Sequence, residues 1–265
     1  MSKVKFIQDS HKYFSTEGEL ISVSSFTERF KEKMDRDLTA ARVAAKKTKE
    51  GTPTTKKDIL EKWTMKRIAS AKAGTTLHEE IESYLIGMGE VEEYGVKCGV
   101  KECIHKEDGK YSIPIEMLEN NTIYPELMIY DIEHMLCGQS DKVIIADGKI
   151  NIWDYKTDAV ISFVGYSNKW MEPKKLLAPL SHLDECNGNI YSIKMSLYMY
   201  MLWKANKGRF KPGEIILEHH HLKRDEENDG MPIFENGKPI VTKKETIRLP
   251  YRKKEVMEML KTLKK

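Results

Sequence analysis

An α/β fold, with a mixed central sheet flanked by helices and a helical N-terminal lobe, is predicted by three features of the sequence. The first third is dominated by helix-forming stretches rich in Ala, Lys, Arg and Glu. The centre switches to runs of Ile, Val, Tyr and Trp, the composition of strands. Two of those runs meet at Asp147-Gly148, a dipeptide that accepts the positive φ angles of a tight hairpin.

In chain order, Val4-Lys5-Phe6-Ile7 and His11-Lys12-Tyr13-Phe14 alternate as a small hairpin, with a turn at Glu17-Gly18-Glu19. Ser22 to Ser25 supplies the N-cap of a helix over Phe26 to Lys33. Asp35 to Glu50 reads as a second helix, ended by Gly51-Thr52-Pro53. Thr54 and Thr55 start a third, running to Ala73, and Gly74-Thr75-Thr76 opens a fourth with Leu77, Ile81, Tyr84 and Leu85 on its apolar stripe. Strands follow at Thr122 to Asp131, Met135 to Ala146 and Lys149 to Thr157. Residues 158–188 show no period and are too long for an ordinary connection, so a functional loop or lid is expected. Asn189 to Ala205 reads as a buried or amphipathic helix, Glu214 to Leu222 and Thr246 to Pro250 as strands, and Arg252 to Leu263 as a closing helix. Residues 1–73 thus form a hairpin and helical lobe, and 74–265 form the core.

The chain has 265 residues, 40% of them hydrophobic, enough to bury a sizeable core. No apolar run approaches the ~20 residues that span a bilayer, and Met1-Ser2-Lys3-Val4-Lys5 is unlike a signal peptide, so an intracellular protein without membrane partners is expected. Cys98, Cys103, Cys137 and Cys186 form no C-x-x-C pair and read as scattered reduced thiols. The net charge of +3 is unevenly spread. Residues 28–72 carry about 14 Lys/Arg against 7 Asp/Glu, whereas residues 79–147 carry about 16 acidic residues against 5 basic. A basic flank beside an acidic centre suits a metal site that works on a polyanion.

Chemistry concentrates at Asp141 and at Asp154-Tyr155-Lys156. On a strand, positions i and i+2 share a face, so Asp154 and Lys156 project together, and the Asp147-Gly148 turn lays the strand of Asp141 alongside. Two carboxylates beside a lysine suit a hard cation such as Mg²⁺, with Mn²⁺ as its substitute.

Four ordered motifs extend this pattern. They are Gly74-Thr75-Thr76-Leu77-His78, Gly138-Gln139-Ser140-Asp141, Trp153-Asp154-Tyr155-Lys156-Thr157, and the helix from Tyr191 to Leu202. Together they resemble the RecB-like PD-(D/E)xK nucleases: a metal-contacting histidine on a helix, a G-x-x-D, a D-Y-K-T core and a Q-x-x-x-Y helix. The segment from His11 to Ser25 is also similar to the N-terminus of exonucleases in this group, and Pro179 to Leu183 to phage-encoded members. The resemblance runs from about residue 10 to residue 205. It implies a restriction-endonuclease-like core and metal-dependent hydrolysis of DNA phosphodiesters, most simply an exonuclease on single-stranded or end-containing DNA in recombination or repair. It further implies Asp141, Asp154, His78 and the Tyr155 carbonyl as metal ligands, Glu126 near the metal, and Lys156 serving the nucleophilic water. Tyr198 and Lys194 would contact substrate. Lys194 stands where the family has glutamine, and a lysine meets phosphate as a point charge without an amide's paired donor and acceptor. A non-catalytic nucleic-acid-binding protein on the same fold is the alternative.

His219-His220-His221 lies on an expected strand, where only two of the three share a face; a short metal-binding tract is one reading, and a packed or exposed strand is the simpler one. In the 158–188 segment, Lys169, Lys174 and Lys175 with Phe163 and Trp170 suggest one wall of a DNA channel.

Overall fold

The N-terminal strands are short and amphipathic, and each is followed by a turn. In the computed structural model, which describes residues 4–7, 12–103, 113–167 and 171–263, they form an antiparallel meander, β1 (Lys5–Ile7), β2 (Lys12–Ser15) and β3 (Gly18–Ser22). The expected turn at Glu17-Gly18-Glu19 is tighter than the sequence suggests, because Gly18 and Glu19 already pair with β2. His11 lies outside the described residues.

Ser22 caps α1 (Val23–Glu28) by accepting the Ser25 N–H, and Asp35 caps α2 (Arg36–Lys49) by accepting from Leu38. The first helix stops at Glu28, not at Lys33. Thr55 and Asp58 form a reciprocal capping box that starts α3 (Lys56–Met88). This helix corrects the sequence reading: it runs unbroken through Ala73 and Gly74, and no new helix opens there. A single interior glycine costs about 1 kcal/mol against alanine, which the packing of a 33-residue helix overrides. Ala40 and Ala44 of α2 bury against Ile59 of α3, giving the lobe a small core of its own.

Among the described residues the central sheet has ten strands. β4 (Glu90–Glu93) and β5 (Val96–Val100) lead to β6 (Thr122–Asp131), β7 (Leu136–Ala146) and β8 (Lys149–Lys156). The β7–β8 turn is as expected, with Asp147 and Gly148 both at positive φ. β9 (Lys211–Leu222) adds parallel to β8, and β14 (Val241–Leu249) antiparallel to β9, so the sheet is mixed. Between them lie two small hairpins, β10 (Arg224–Asp225) with β11 (Met231–Pro232) and β12 (Phe234–Glu235) with β13 (Lys238–Pro239).

β6 and β7 are buried along almost their whole length, the signature of strands covered on both faces. One cover is α4 (Asn187–Ala205), itself buried on most sides, with α5 (Lys253–Lys261) packed behind it. Tyr155 meets His78 of α3, whereas its neighbour Lys156 meets Tyr191 of α4. Adjacent strand residues point to opposite faces, so α3 and α4 lie on opposite sides of the sheet. Among the described residues no helix is long and apolar enough to cross a membrane.

Candidate metal centre

β7 changes partner partway along one edge. It pairs with β3 at Leu136 and Cys137, then with β8 from Lys142 to Ala146, while β6 runs along the other edge. Asp141 sits in the fork between β3 and β8, where its side chain substitutes for a ladder acceptor. Its Oδ2 accepts the Tyr155 N–H at 2.7 Å, tying β8 to β7 just past their last ladder pair. Gly138 serves the same corner. A Cβ there would stand 2.5 Å from Tyr198 Oη, so only glycine lets the buried tyrosine lie against the strand.

Across from Asp141, the β6–β7 pairing passes from Pro125↔Lys142 to Leu127↔Ser140 and leaves Glu126 between them at φ +50°. A left-handed backbone costs a residue with a side chain about 1–2 kcal/mol, and such strain collects at functional positions. The Glu126 side chain is fixed by Gln139, whose Nε2 donates to Oε2 at 2.7 Å. Gln139 was not singled out by the sequence; its place inside G-x-x-D, cross-strand from the glutamate, is intelligible only once the register is known.

α3 brings His78 to this corner. Its Nδ1 lies 3.7 Å from Glu126 Oε1, its Nε2 3.7 Å from Asp141 Oδ2, and Nε2 donates to the Tyr155 carbonyl at 3.2 Å. Ligand atoms of His78, Glu126 and Asp141 all lie within 4.8 Å of one another. Their side chains are 28%, 16% and 10% exposed, so the trio is mostly buried yet still reached by solvent.

Asp154 and Lys156 share a face, as the alternation requires, and form an ion pair. Lys194 of α4 approaches the same carboxylate at 3.8 Å. Asp154 is only 2% exposed and outside the close trio, held by the two lysines. Lys156 also donates to the Tyr155 carbonyl at 3.1 Å and lies over the Tyr191 ring. Tyr191 donates to Asp158 at 2.9 Å. It also lines a cleft of about 280 Å³ with Glu28, Lys31, Tyr166 and Ile190, whose walls include none of the trio. Tyr198 is buried beneath Lys194, behind the carboxylates.

The charges are strongly interdependent. Burial opposes protonation of His78, yet the neighbouring Glu126 and Asp141 carboxylates lift its imidazole to about 9. Burial pushes Glu126 up to about 7, a rise that His78 restrains and Asp141 adds to. Burial, then the nearby Asp154 charge, raises Asp141 as well. Asp154 goes the other way: burial would raise it, but Lys156 and Lys194 together hold it below the usual carboxylate range.

These groups fit a divalent cation. One imidazole nitrogen, two carboxylates and a main-chain carbonyl converge, and the buried oxygens of Asp154 make no hydrogen bond of good geometry. Like carboxylates held this close raise one another's proton affinity, which a cation relieves.

The structure brings His78, Glu126, Asp141, Tyr155, Asp154, Lys156 and Lys194 to one corner. It treats the 158–188 segment differently. Lys174 is paired with Glu32 and Glu185, and Lys175 with Asp184, so both are engaged in ion pairs, one of which ties the segment to the N-terminal lobe. Phe163 is exposed, and Lys169 and Trp170 lie outside the described residues. Comparison of the chain with models of known protein families and with curated proteins found no match.

Proposed function

We propose that this chain is a divalent-metal-dependent DNA nuclease of RecB-like type, built on a restriction-endonuclease-like core and acting as an exonuclease. The observation that carries the reading is the convergence of His78, Glu126, Asp141 and the Tyr155 carbonyl beside the Asp154–Lys156 pair. The ordered motifs supply the same residues, Glu126 apart.

His78, Glu126, Asp141 and Tyr155 O would hold Mg²⁺ or Mn²⁺, with Asp154 as the adjoining carboxylate. When bound, such an ion supplies Lewis acidity toward a phosphoryl oxygen and the leaving oxygen. The chain's own residues do the rest. Lys156, pinned by Asp154 and the Tyr155 carbonyl, presents an ammonium whose remaining N–H orients the attacking water and meets charge developing on phosphate. Gln139 holds Glu126 in its strained position. Lys194 adds a second positive charge, and the excess of Lys and Arg over residues 28–72 would attract the polyanion.

End-labelled single- and double-stranded DNA, incubated with Mg²⁺, Mn²⁺ or EDTA, tests the reading. Cleavage is expected with either metal and none with EDTA. Lysine in the glutamine position, drawn to Asp154, favours the second reading, a nucleic-acid-binding protein without turnover. DNA binding with no cleavage under any divalent metal would select it and overturn the first.

A further inference from the structure

The three consecutive histidines of β9 have no part in the nuclease reading. The strand separates them: His220 turns inward against Tyr155 and Glu218, and His219 and His221 share the other face with ring centroids 4.0 Å apart. The neighbouring strand supplies what the sequence could not show. In the β9–β14 register Glu245 lies directly across from His219, and its Oε2 is 3.1 Å from His221 Nε2. One ligand atom from each of His219, His221 and Glu245 lies within 4.8 Å of the other two.

We infer that His219, His221 and Glu245 form a second metal site, for a borderline transition-metal ion of the zinc class. The donor set decides the class. Two imidazoles and one carboxylate suit zinc and its neighbours, whereas Mg²⁺ and Ca²⁺ prefer sets dominated by oxygen. The orientation of His219 supports it independently. Its Nε2 lies 2.8 Å from the Asp158 carbonyl oxygen, which can only accept, so the proton sits on Nε2 and Nδ1 is the free lone pair of the neutral ring. A ligand histidine anchored through its other nitrogen to a main-chain carbonyl is the arrangement metal sites use to fix the tautomer and ring.

Burial divides the site in the same sense. His219 is 2% exposed and rigidly placed, whereas His221 and Glu245 reach solvent and leave coordination positions for water. Lys243 approaches Glu245 at 3.4 Å on a side chain 63% exposed, and it swings away at little cost. The Asp158 carbonyl follows the end of β8 by two residues. A metal here clips β9 to β14 and braces the start of the 158–188 segment. The site does not rest on the nuclease reading, since a chain without phosphodiesterase activity would still bind zinc here.

The test uses the full chain carrying His78→Ala, which removes a ligand of the first site, titrated with ZnCl₂ against a chromophoric chelator. One zinc per chain is expected. His221→Ala and Glu245→Gln, at a half-buried and an exposed position, should each weaken binding by more than the roughly 10–100-fold that loss of an outer-shell partner causes. Zn²⁺ should raise the melting temperature of the parent, Mg²⁺ should leave it unchanged, and the zinc effect should vanish in both variants. Long-range proton–nitrogen NMR should show the His219 Nδ1 resonance shifting on zinc addition. Undiminished zinc affinity in both variants, or no stoichiometric zinc in the parent, overturns the proposal.

Discussion

The raised proton affinity of His78 makes metal binding a proton-release reaction. With the imidazole lifted to about 9, roughly one molecule in a hundred is unprotonated at pH 7, and a metal must displace that proton before taking the nitrogen. Apparent Mg²⁺ affinity should therefore climb by about 50-fold, or about 2.3 kcal/mol, between pH 7 and 9. Glu126, pushed up to about 7, steepens the climb only below neutrality. Stability of the metal-free chain runs in the opposite direction. A histidine whose folded value exceeds its unfolded one stabilises fully below about 6.5 and loses that contribution as pH rises through about 9, so added Mg²⁺ should protect most at alkaline pH. Calorimetry in buffers of different ionisation heat counts the protons directly, with close to one released per Mg²⁺ near pH 8. Mg²⁺ is the right probe because the two-imidazole site disfavours it. In His78→Gln the rise above pH 7 should disappear and affinity should fall. An affinity that is flat from pH 7 to 9 in the wild type, or that climbs equally in the variant, would refute the reasoning.

Three further outcomes are expected. Asp154→Asn and Lys156→Ala should each abolish cleavage while filter binding to DNA stays within a few-fold, because attraction rests on the basic helices; parallel loss of both would tell against the assigned roles. Gly138→Ala should destabilise by about 1–3 kcal/mol in urea unfolding, since the new methyl overlaps Tyr198, and a double-mutant cycle with Tyr198→Ala should recover most of that cost. Burial would raise Asp131, but Lys204 and His134 hold it below its ordinary value. Its contribution is present above the unfolded carboxylate pKa of about 3.9 and lost as pH falls through the lower folded value. Asp131→Asn should thus destabilise the chain at pH 7, with the difference from wild type shrinking steadily as pH is lowered below about 3.9, as read by urea unfolding.

What the sequence made legible was local. β6, β7 and β8 stand out because strand composition and an Asp-Gly turn are properties of adjacent residues, and i, i+2 alternation is enough to put Asp154 and Lys156 on one face. What it hid depends on partners distant in the chain. Gly74 looks like a helix boundary in isolation, and only the packing of α3 against the sheet overrides it. The pairing of Gln139 with Glu126 requires the β6–β7 register, and that of Glu245 with His221 requires the β9–β14 register. Lys174 and Lys175 read as free charges because Glu32, Glu185 and Asp184 declare themselves as partners only in three dimensions.

The fork in the edge of β7 also fixes an order of assembly. β6, β7 and β8 are joined by short turns and close at small entropic cost, whereas β3 reaches β7 across about 115 residues, at Ile21↔Leu136. Such contact order places docking of the N-terminal meander late in folding. Until it arrives, Leu136 and Cys137 present unpaired main-chain groups in a strand with strongly apolar neighbours. A nascent or truncated chain is therefore most prone to self-association at this spot, through strand addition beside Asp141.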